Sequence, residues 1–206
     1  MINLSADEED ALAEVCNVGM SKAAKQLSLL LNSHINIAPP KINILTAQEM
    51  IDDKLFQTYR LYSFVRQTIS KDIEGNAVLI FKQEQTSLLT QAIIGTTPQL
   101  SEQEVRACEQ EAMLEVGNII ISSCMSAIVN MLSIEIRMGV PNYHEDKITH
   151  LVEGSFSKSQ DDIADIILIS TELETPGEDI SGRLLLMLSV DSIKSLLESV
   201  KALLGQ

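Results

Sequence analysis

Aromatic residues are scarce in this chain: they make up 3% of its 206 residues, and tryptophan is absent. RNA and single-stranded nucleic acids stack on such rings, so we expect no stacking platform here. Positive charge is scarce as well, since 15 Lys and Arg face 29 Asp and Glu and give a formal net charge of −14. Phosphate backbones and anionic membranes would be repelled, which argues against nucleic-acid and membrane partners.

Cysteine is nearly absent, and the three that occur form no C-x-x-C pair: Cys16, Cys108 and Cys124. This favours a reducing compartment without structural disulfides or zinc. The N-terminal residues lack the basic and apolar segments of a signal peptide, and we expect no apolar run of the ~20 residues that a membrane span needs. The histidines lack metal-ligand spacing. A cytoplasmic protein with no cofactor of its own is therefore predicted.

Apolar residues are plentiful, at 45% of the chain, and in two places they follow the spacing of a long helix. The first helix begins at the capping box Ser5-x-x-Glu8 and runs to about Leu31. The second begins at the capping box Ser101-x-x-Glu104. Each predicted helix has a stripe of apolar and small residues for burial and a polar face opposite to it.

The rest of each half favours strands followed by a shorter helix. The predicted strands are Lys41–Leu45, Tyr59–Ser70, Asn76–Lys82, Ile163–Leu173 and Ile180–Val190, and the predicted short helices are near Gln83–Ile94 and Asp191–Leu204. Turn signals at Glu74–Asn76 and over 174–179 make the strands hairpins. We therefore predict an α+β fold with a mostly antiparallel sheet and pseudo-two-fold symmetry, one domain over 1–206 with internal repeats about 1–97 and 98–206.

A short polar pattern occurs once in each half. Glu14-x-x-Asn17 is followed, after 22 intervening residues, by Pro40. The second copy, Glu115-x-x-Asn118 followed by Pro141, is shifted by 101 residues at all three positions. An acid and an amide three residues apart share one face of a helix. One such pair is ordinary on a solvated helix, but a second pair in the same register indicates two sites with the same arrangement of residues.

With the residue four positions before each glutamate, the pattern resembles that of the CheC/CheX/FliY phosphatases of bacterial chemotaxis. The family pattern reads Asp/Ser-x3-Glu-x2-Asn-x22-Pro, and the resemblance covers essentially the whole chain. Asp10 fits its first position, whereas Glu111 departs from it in the second copy. The length and the two copies resemble the CheC type most. FliY-like members carry an additional C-terminal switch domain, for which we expect no room.

The resemblance implies hydrolysis of the aspartyl phosphate of a response-regulator receiver of the CheY type. Asn17 and Asn118 would orient the attacking water, since an amide donates and accepts hydrogen bonds without titrating. Glu14 and Glu115 would pair with the receiver's phosphate-contacting lysine. The Mg²⁺ of the reaction is expected on the receiver substrate.

Two other interpretations stay open. The chain could be a non-catalytic adaptor that binds a phosphorylated receiver, or a regulator that binds a CheD-like deamidase. A weaker alternative is a flagellar switch component, because the middle domain of FliM has a similar fold. The intact Glu/Asn pairs favour the enzyme. The sequence alone names neither the receiver nor the oligomeric state, and it gives Cys108 no role.

Overall fold

The computed structural model describes residues 4–52, 56, 59–95, 100–155, 166–175 and 178–205, without the side chains of 47, 94, 153–155 and 171–181. The helices are α1 Ala6–Leu30, α2 Ala47–Asp52, α3 Gln83–Ile94, α4 Glu102–Leu132, α5 Ile148–Ser155 and α6 Val190–Leu203. The strands are β1 Asn36–Ile37, β2 Lys41–Leu45, β3 Tyr62–Lys71, β4 Gly75–Lys82, β5 Ile136–Met138, β6 Asn142–Asp146, β7 Ile166–Thr175 and β8 Glu178–Leu188. The predicted α+β class with a mostly antiparallel sheet is confirmed.

The elements follow the same order in both halves: one long helix, two short strands, a short helix, a long hairpin and a closing helix. The strands form one sheet in the order β1-β7-β8-β4-β3-β5, with β2 also on β7 and β6 also on β3. Each half therefore lays its two short strands on the long hairpin of the other half. This exchange joins the halves through backbone hydrogen bonds, so neither half completes its sheet alone.

Register supports the pseudo-two-fold relation. Lys41 lies opposite Ser170 where β2 pairs with β7, and Asn142 lies opposite Arg66 where β6 pairs with β3. Lys41 and Asn142 are related by the same 101-residue shift as the two Glu/Asn pairs. That the halves arose from a duplicated repeat, with the boundaries given above, stays a prediction.

Helices cover both faces of the sheet. One apolar core lies between the sheet and α1, α3, α4 and α6, and a smaller one lies between the sheet and α2 and α5. Period-2 alternation along β3 sends Val65 and Ile69 into the larger core and Phe64 into the smaller. The sheet is thus buried on both sides, and the two long helices pack against each other on one of them.

The hairpin turn between β3 and β4 was predicted two residues too late. The structure places it at 72–74, and Gly75 is already paired in β4. Gly75 has φ 155°, and a Cβ there would come within 2.2 Å of the carbonyl oxygen of Met187 on β8. The glycine is therefore required by the close approach of the neighbouring strand.

Short elements were missed, namely α2, α5, β1, β5 and β6, because two to eight residues carry little periodicity. The start of the strand predicted from Ile163, part of the loop at 174–179 and part of the repeat boundary near Gly95–Leu100 lie outside the described residues.

Helix α4 corrects the expectation that no apolar run reaches membrane length. Among the described residues it is the one helix that is long and apolar enough to cross a membrane by length and composition. However, 61% of the most apolar 18-residue stretch of α4 is buried inside the protein, and the helix contacts α1, α3, β3 and β4. A core helix between a sheet and another helix is apolar for that reason alone.

Candidate functional site

The first Glu/Asn pair lies on the polar side of α1. Glu14 is exposed and Asn17 is half-buried, while Cys16 and Gly19 on the other side are buried. The helix begins at Ser5 as the sequence predicts, since the backbone N–H of Ser5 donates to Oε2 of Glu8 at 2.7 Å. The capping box fixes the start of α1, and the buried stripe of the helix leaves the pair on its outer face.

The second pair occupies the matching place on α4. Glu115 and Asn118 are exposed, and Gly117 between them is buried against the sheet. This helix also begins at its predicted capping box, where the backbone N–H of Ser101 donates to Oε2 of Glu104 at 2.8 Å. The remaining helix positions of the motif, Asp10 and Glu111, are exposed as well. Each copy therefore presents an acid and an amide near solvent on a rigid helix.

The motif prolines lie at breaks between short strands. Pro40 immediately precedes β2, after β1 has ended at Ile37, and Pro141 stands in the same place between β5 and β6. Proline has no N–H to donate, so it fits where the ladder of hydrogen bonds is interrupted. Opposite the second break lie Gln67 and Thr68 of β3, between the parts of β3 that pair with β6 and with β5.

The two pairs differ in their contacts. Gln67 of β3 donates a hydrogen bond from Nε2 to Oδ1 of Asn118 at 3.2 Å. No hydrogen bond or ion pair from the described residues reaches Glu14, Asn17 or Glu115, and no described contact joins the first pair to the second. The carboxylates of Glu14 and Glu115 are therefore available to a partner, whereas Oδ1 of Asn118 already accepts a hydrogen bond from Gln67.

Sequence reasoning missed Gln67, although a signal was present. On the face of β3 that meets α4, the polar Gln67 stands between the apolar Val65 and Ile69. A polar residue on the buried face of an otherwise amphipathic strand needs a partner. Its partner, a residue of the motif 51 positions away, could not be read from the sequence.

Two of the cysteines and one histidine pack inside the fold. Cys16 and Cys124 are fully buried between α1 and α4. The hydrogen bond between their thiols, with the burial, raises the pKa of Cys16 well above its ordinary value, which disfavours a nucleophilic thiolate. His144 stacks on the Phe64 ring with centroids 5.2 Å apart. In the described part of the chain no group of three or more His, Cys, Asp or Glu is placed to hold a metal ion.

A polar cleft of about 360 Å³ opens between α3, α4 and β6 in the second half; it is lined by Gln83, Arg106, Glu109, Gln110, Tyr143 and Glu145. The Tyr143 hydroxyl donates to Glu145 at 2.6 Å, and burial is the main cause that raises its pKa above the ordinary value. The residue matching Tyr143 in the first half is Ile42, which is buried in the core. The halves therefore differ at this place too.

The match to a known protein family lies over the first copy of the motif. The CheC-like family matches residues 8–44, a stretch that holds Glu14, Asn17 and Pro40. Among curated proteins, the flagellar motor switch phosphatase FliY of Bacillus subtilis is 21% identical over 201 residues, which are 96% of this chain and 50% of FliY. The chain thus spans about half the length of this curated relative.

Solved structures show the same fold over nearly the full chain. The crystal structure of Thermotoga maritima FliY is 20% identical with a TM-score of 0.76, and the match covers 98% of this chain and 99% of that one. The middle domain of FliM from H. pylori matches with a TM-score of 0.64 at 13% identity, covering 95% and 99%. The fold is thus that of the FliY and FliM middle-domain class.

Within that class, the matched family model, the FliY relative and the shared fold together support a protein of the CheC/FliY family. The family predicted from the repeated motif is confirmed. Residue roles do not follow from membership, because the FliM domain shares the fold at 13% identity.

Proposed function

We propose that the chain is a phosphatase that hydrolyses the aspartyl phosphate of a response-regulator receiver of the CheY type. The observation that carries the proposal is the pair of accessible Glu/Asn sites, placed at matching positions on α1 and α4 of a CheC/FliY-family fold. The likeness to a curated motor switch phosphatase supports the activity. A cytoplasmic location, where receivers work, belongs to the same proposal.

The proposed chemistry requires little of the phosphatase. An aspartyl phosphate is an activated acyl phosphate, and its receiver supplies the Mg²⁺ that neutralises the developing charge. What is missing is a water in line with the phosphorus. Asn17 and Asn118 would hold that water, because an amide can bind it without competing for its proton.

The acidic side chains would fix how the partner docks. Glu14 and Glu115 would each accept a charge-assisted hydrogen bond from the lysine beside the receiver's phosphoryl group. The net charge of −14 suits a cleft that contains a metal ion and a lysine. Exposed helices can enter such a cleft, and Val18 beside Asn17, 46% exposed, offers an apolar contact there.

The direct test measures phosphate release from a phosphorylated receiver in Mg²⁺, with the wild type and with Asn17→Ala plus Asn118→Ala. Acceleration by the wild type that is lost in the double variant is expected. Asn130→Ala is a matched control, since Asn130 is exposed on α4 outside the motif. Alanine improves helix propensity at all three sites, but Asn118→Ala leaves the buried Gln67 amide unpaired, so the melting temperature of the double variant is compared with that of the control. An unchanged rate in the double variant would refute the asparagine roles.

The glutamates are tested by a different kinetic signature. Replacing Glu14 and Glu115 by Gln removes their charge and keeps their shape. Because the proposed pairing forms on docking, KM for the receiver should rise while kcat changes less. A large fall in kcat at constant KM would instead place the carboxylates in the chemical step.

The shared fold of the FliM middle domain favours a second candidate, a non-catalytic adaptor for phosphorylated receivers. In the same assay an adaptor would bind the phosphorylated receiver without accelerating phosphate release. A regulator that works with a CheD-like deamidase would change the rate only when that partner is added.

A further inference from the structure

Gln67 is a buried amide whose hydrogen bonding is only half satisfied. It is 3% exposed, between Val65 and Ile69 on the face of β3 that meets α4. Its Nε2 donates to Asn118, whereas its Oε1 has no partner among the described residues. Burying an unpaired carbonyl destabilises the folded state. Stability alone would therefore favour an apolar side chain at this position.

The contact with Asn118 depends on an unusually close approach of α4 to the sheet. A Cβ on Gly117 would lie 2.5 Å from Cγ1 of Val65, so a side chain there would force Val65 or α4 to shift. The glycine thus lets the helix backbone rest directly on Val65. Gln67 follows Val65 two residues later on the same strand face, and Asn118 follows Gly117, so the approach brings the two amides within 3.2 Å.

The first copy has neither part of this arrangement. The position that matches Gly117 is Cys16, which has a side chain, and strand register matches Gln67 with Thr171. Threonine is shorter and carries no amide. The only glycine of α1, Gly19, meets α4 instead, where its Cβ would lie 2.5 Å from Cα of Cys124. Among the described side chains, the link between strand and asparagine is therefore found in the second copy.

We propose that Gln67 is a positioning residue that holds the Asn118 amide ready for the receiver. By donating to Oδ1 it turns the Nδ2 donors of Asn118 away from the sheet and limits the rotamers of an exposed side chain. A preset amide loses less freedom when the attacking water is placed. The inference rests on the proposed phosphatase function, and it predicts that the second site is the faster one.

The kinetic test uses Asn17→Ala as background, so that only the second copy turns over receiver. Adding Gln67→Met keeps the volume of residue 67 and removes its amide. We expect kcat to fall roughly five- to tenfold, as the loss of one neutral hydrogen bond implies. KM should stay within about twofold, because the buried Gln67 does not reach the receiver. Melting temperature should hold or rise, since an unpaired buried carbonyl is lost.

A matched control removes another unpaired buried oxygen. Oγ of Ser170, on β7, is buried without a partner in the part of the chain that the structure describes. Ser170→Ala should leave kcat unchanged in the same background. If Gln67→Met has the same kcat as its background, the positioning role is refuted while the phosphatase function stands.

A second readout needs no enzymatic activity. Side-chain amide ¹⁵N relaxation of the wild type should show a more ordered NH₂ group at Asn118 than at Asn17, and Gln67→Met should remove the difference. Equal mobility of the two amides in the wild type would overturn the inference. If Asn17→Ala alone shows no phosphate release while Asn118 is ordered by Gln67, the phosphatase proposal fails at this site and the structural inference survives.

Discussion

The two halves share a topology and a strand register, yet they use glycine and amides differently on their long helices. In the first half, Gly19 lets α1 lie against α4, and the polar face with Asn17 has no partner in the described part of the chain. In the second half, Gly117 lets α4 lie against β3, and Asn118 is bonded to Gln67. Equal folds can thus carry unequal sites, because a few contacts decide how firmly a side chain is held.

The largest stability effect is expected at Gly19. A Cβ there would come within 2.5 Å of Cα of Cys124 and 2.9 Å of the carbonyl oxygen of Ser123, both backbone atoms that cannot rotate away. Gly19→Ala should lower the free energy of unfolding by about 1–3 kcal/mol, even though alanine favours the helix. Urea denaturation measures it. Lys22→Ala, exposed on the same helix, is the control, and a Gly19→Ala protein as stable as that control would contradict the close packing.

A smaller loss is expected at Gly117, where the new Cβ meets the side chain of Val65 and α4 can move outward. Gly117→Ala should cost about 1–2 kcal/mol and should also separate Asn118 from Gln67. Denaturation gives the first effect, and the mobility of the Asn118 amide gives the second. Retention of an ordered Asn118 amide in this variant would show that the glycine is not what permits the contact.

The smallest difference in the free energy of unfolding should be between variants of the two capping boxes, because the boxes have the same geometry. Ser5 Oγ and Ser101 Oγ each donate to the glutamate three residues on at 2.7 Å. Ser5→Ala and Ser101→Ala should each cost about 1 kcal/mol, and the two costs should agree within a few tenths. Thermal or urea unfolding of both variants tests this equality. A serine variant as stable as the wild type would contradict it.

The capping boxes also predict a pH dependence. Hydrogen bonds from the serine hydroxyl and backbone lower the pKa of Glu8 and Glu104 below the ordinary value. A lowered folded-state pKa stabilises the protein above the unfolded pKa of about 4.3, and the contribution disappears as pH falls through the folded value. The stability gap between wild type and Glu8→Gln or Glu104→Gln should therefore be full at pH 7 and shrink below about pH 4. A gap that does not change with pH would contradict the assignment.

Local signals predicted most of the fold. Capping boxes gave the starts of α1 and α4, and strand periodicity gave β2 with its observed bounds, Lys41–Leu45. Residue-level propensity and pattern are sufficient for such elements because they act over a few positions. The exchange of short strands between the halves could not be predicted, since strand partners depend on contacts far apart in sequence.

In the candidate site, too, some features could be predicted from the sequence and others could not. The Glu/Asn pairs and their exposure follow from helical spacing and from the repeated motif. The tie between Gln67 and Asn118 depends on how closely α4 lies on β3, and that depends on a glycine without a counterpart in the first copy. A sequence shows which residue is small or polar but not which neighbour it will meet.

Both copies should dephosphorylate a receiver, and the second should be faster because its asparagine is already oriented by Gln67. Phosphate release from one phosphorylated CheY-type receiver, compared for wild type, Asn17→Ala, Asn118→Ala and the double variant, tests both expectations most directly. The account predicts that Asn118→Ala loses the larger part of the acceleration, that Asn17→Ala loses the smaller part, and that the double variant has none. A double variant as fast as wild type, or a larger loss from Asn17→Ala, would contradict it.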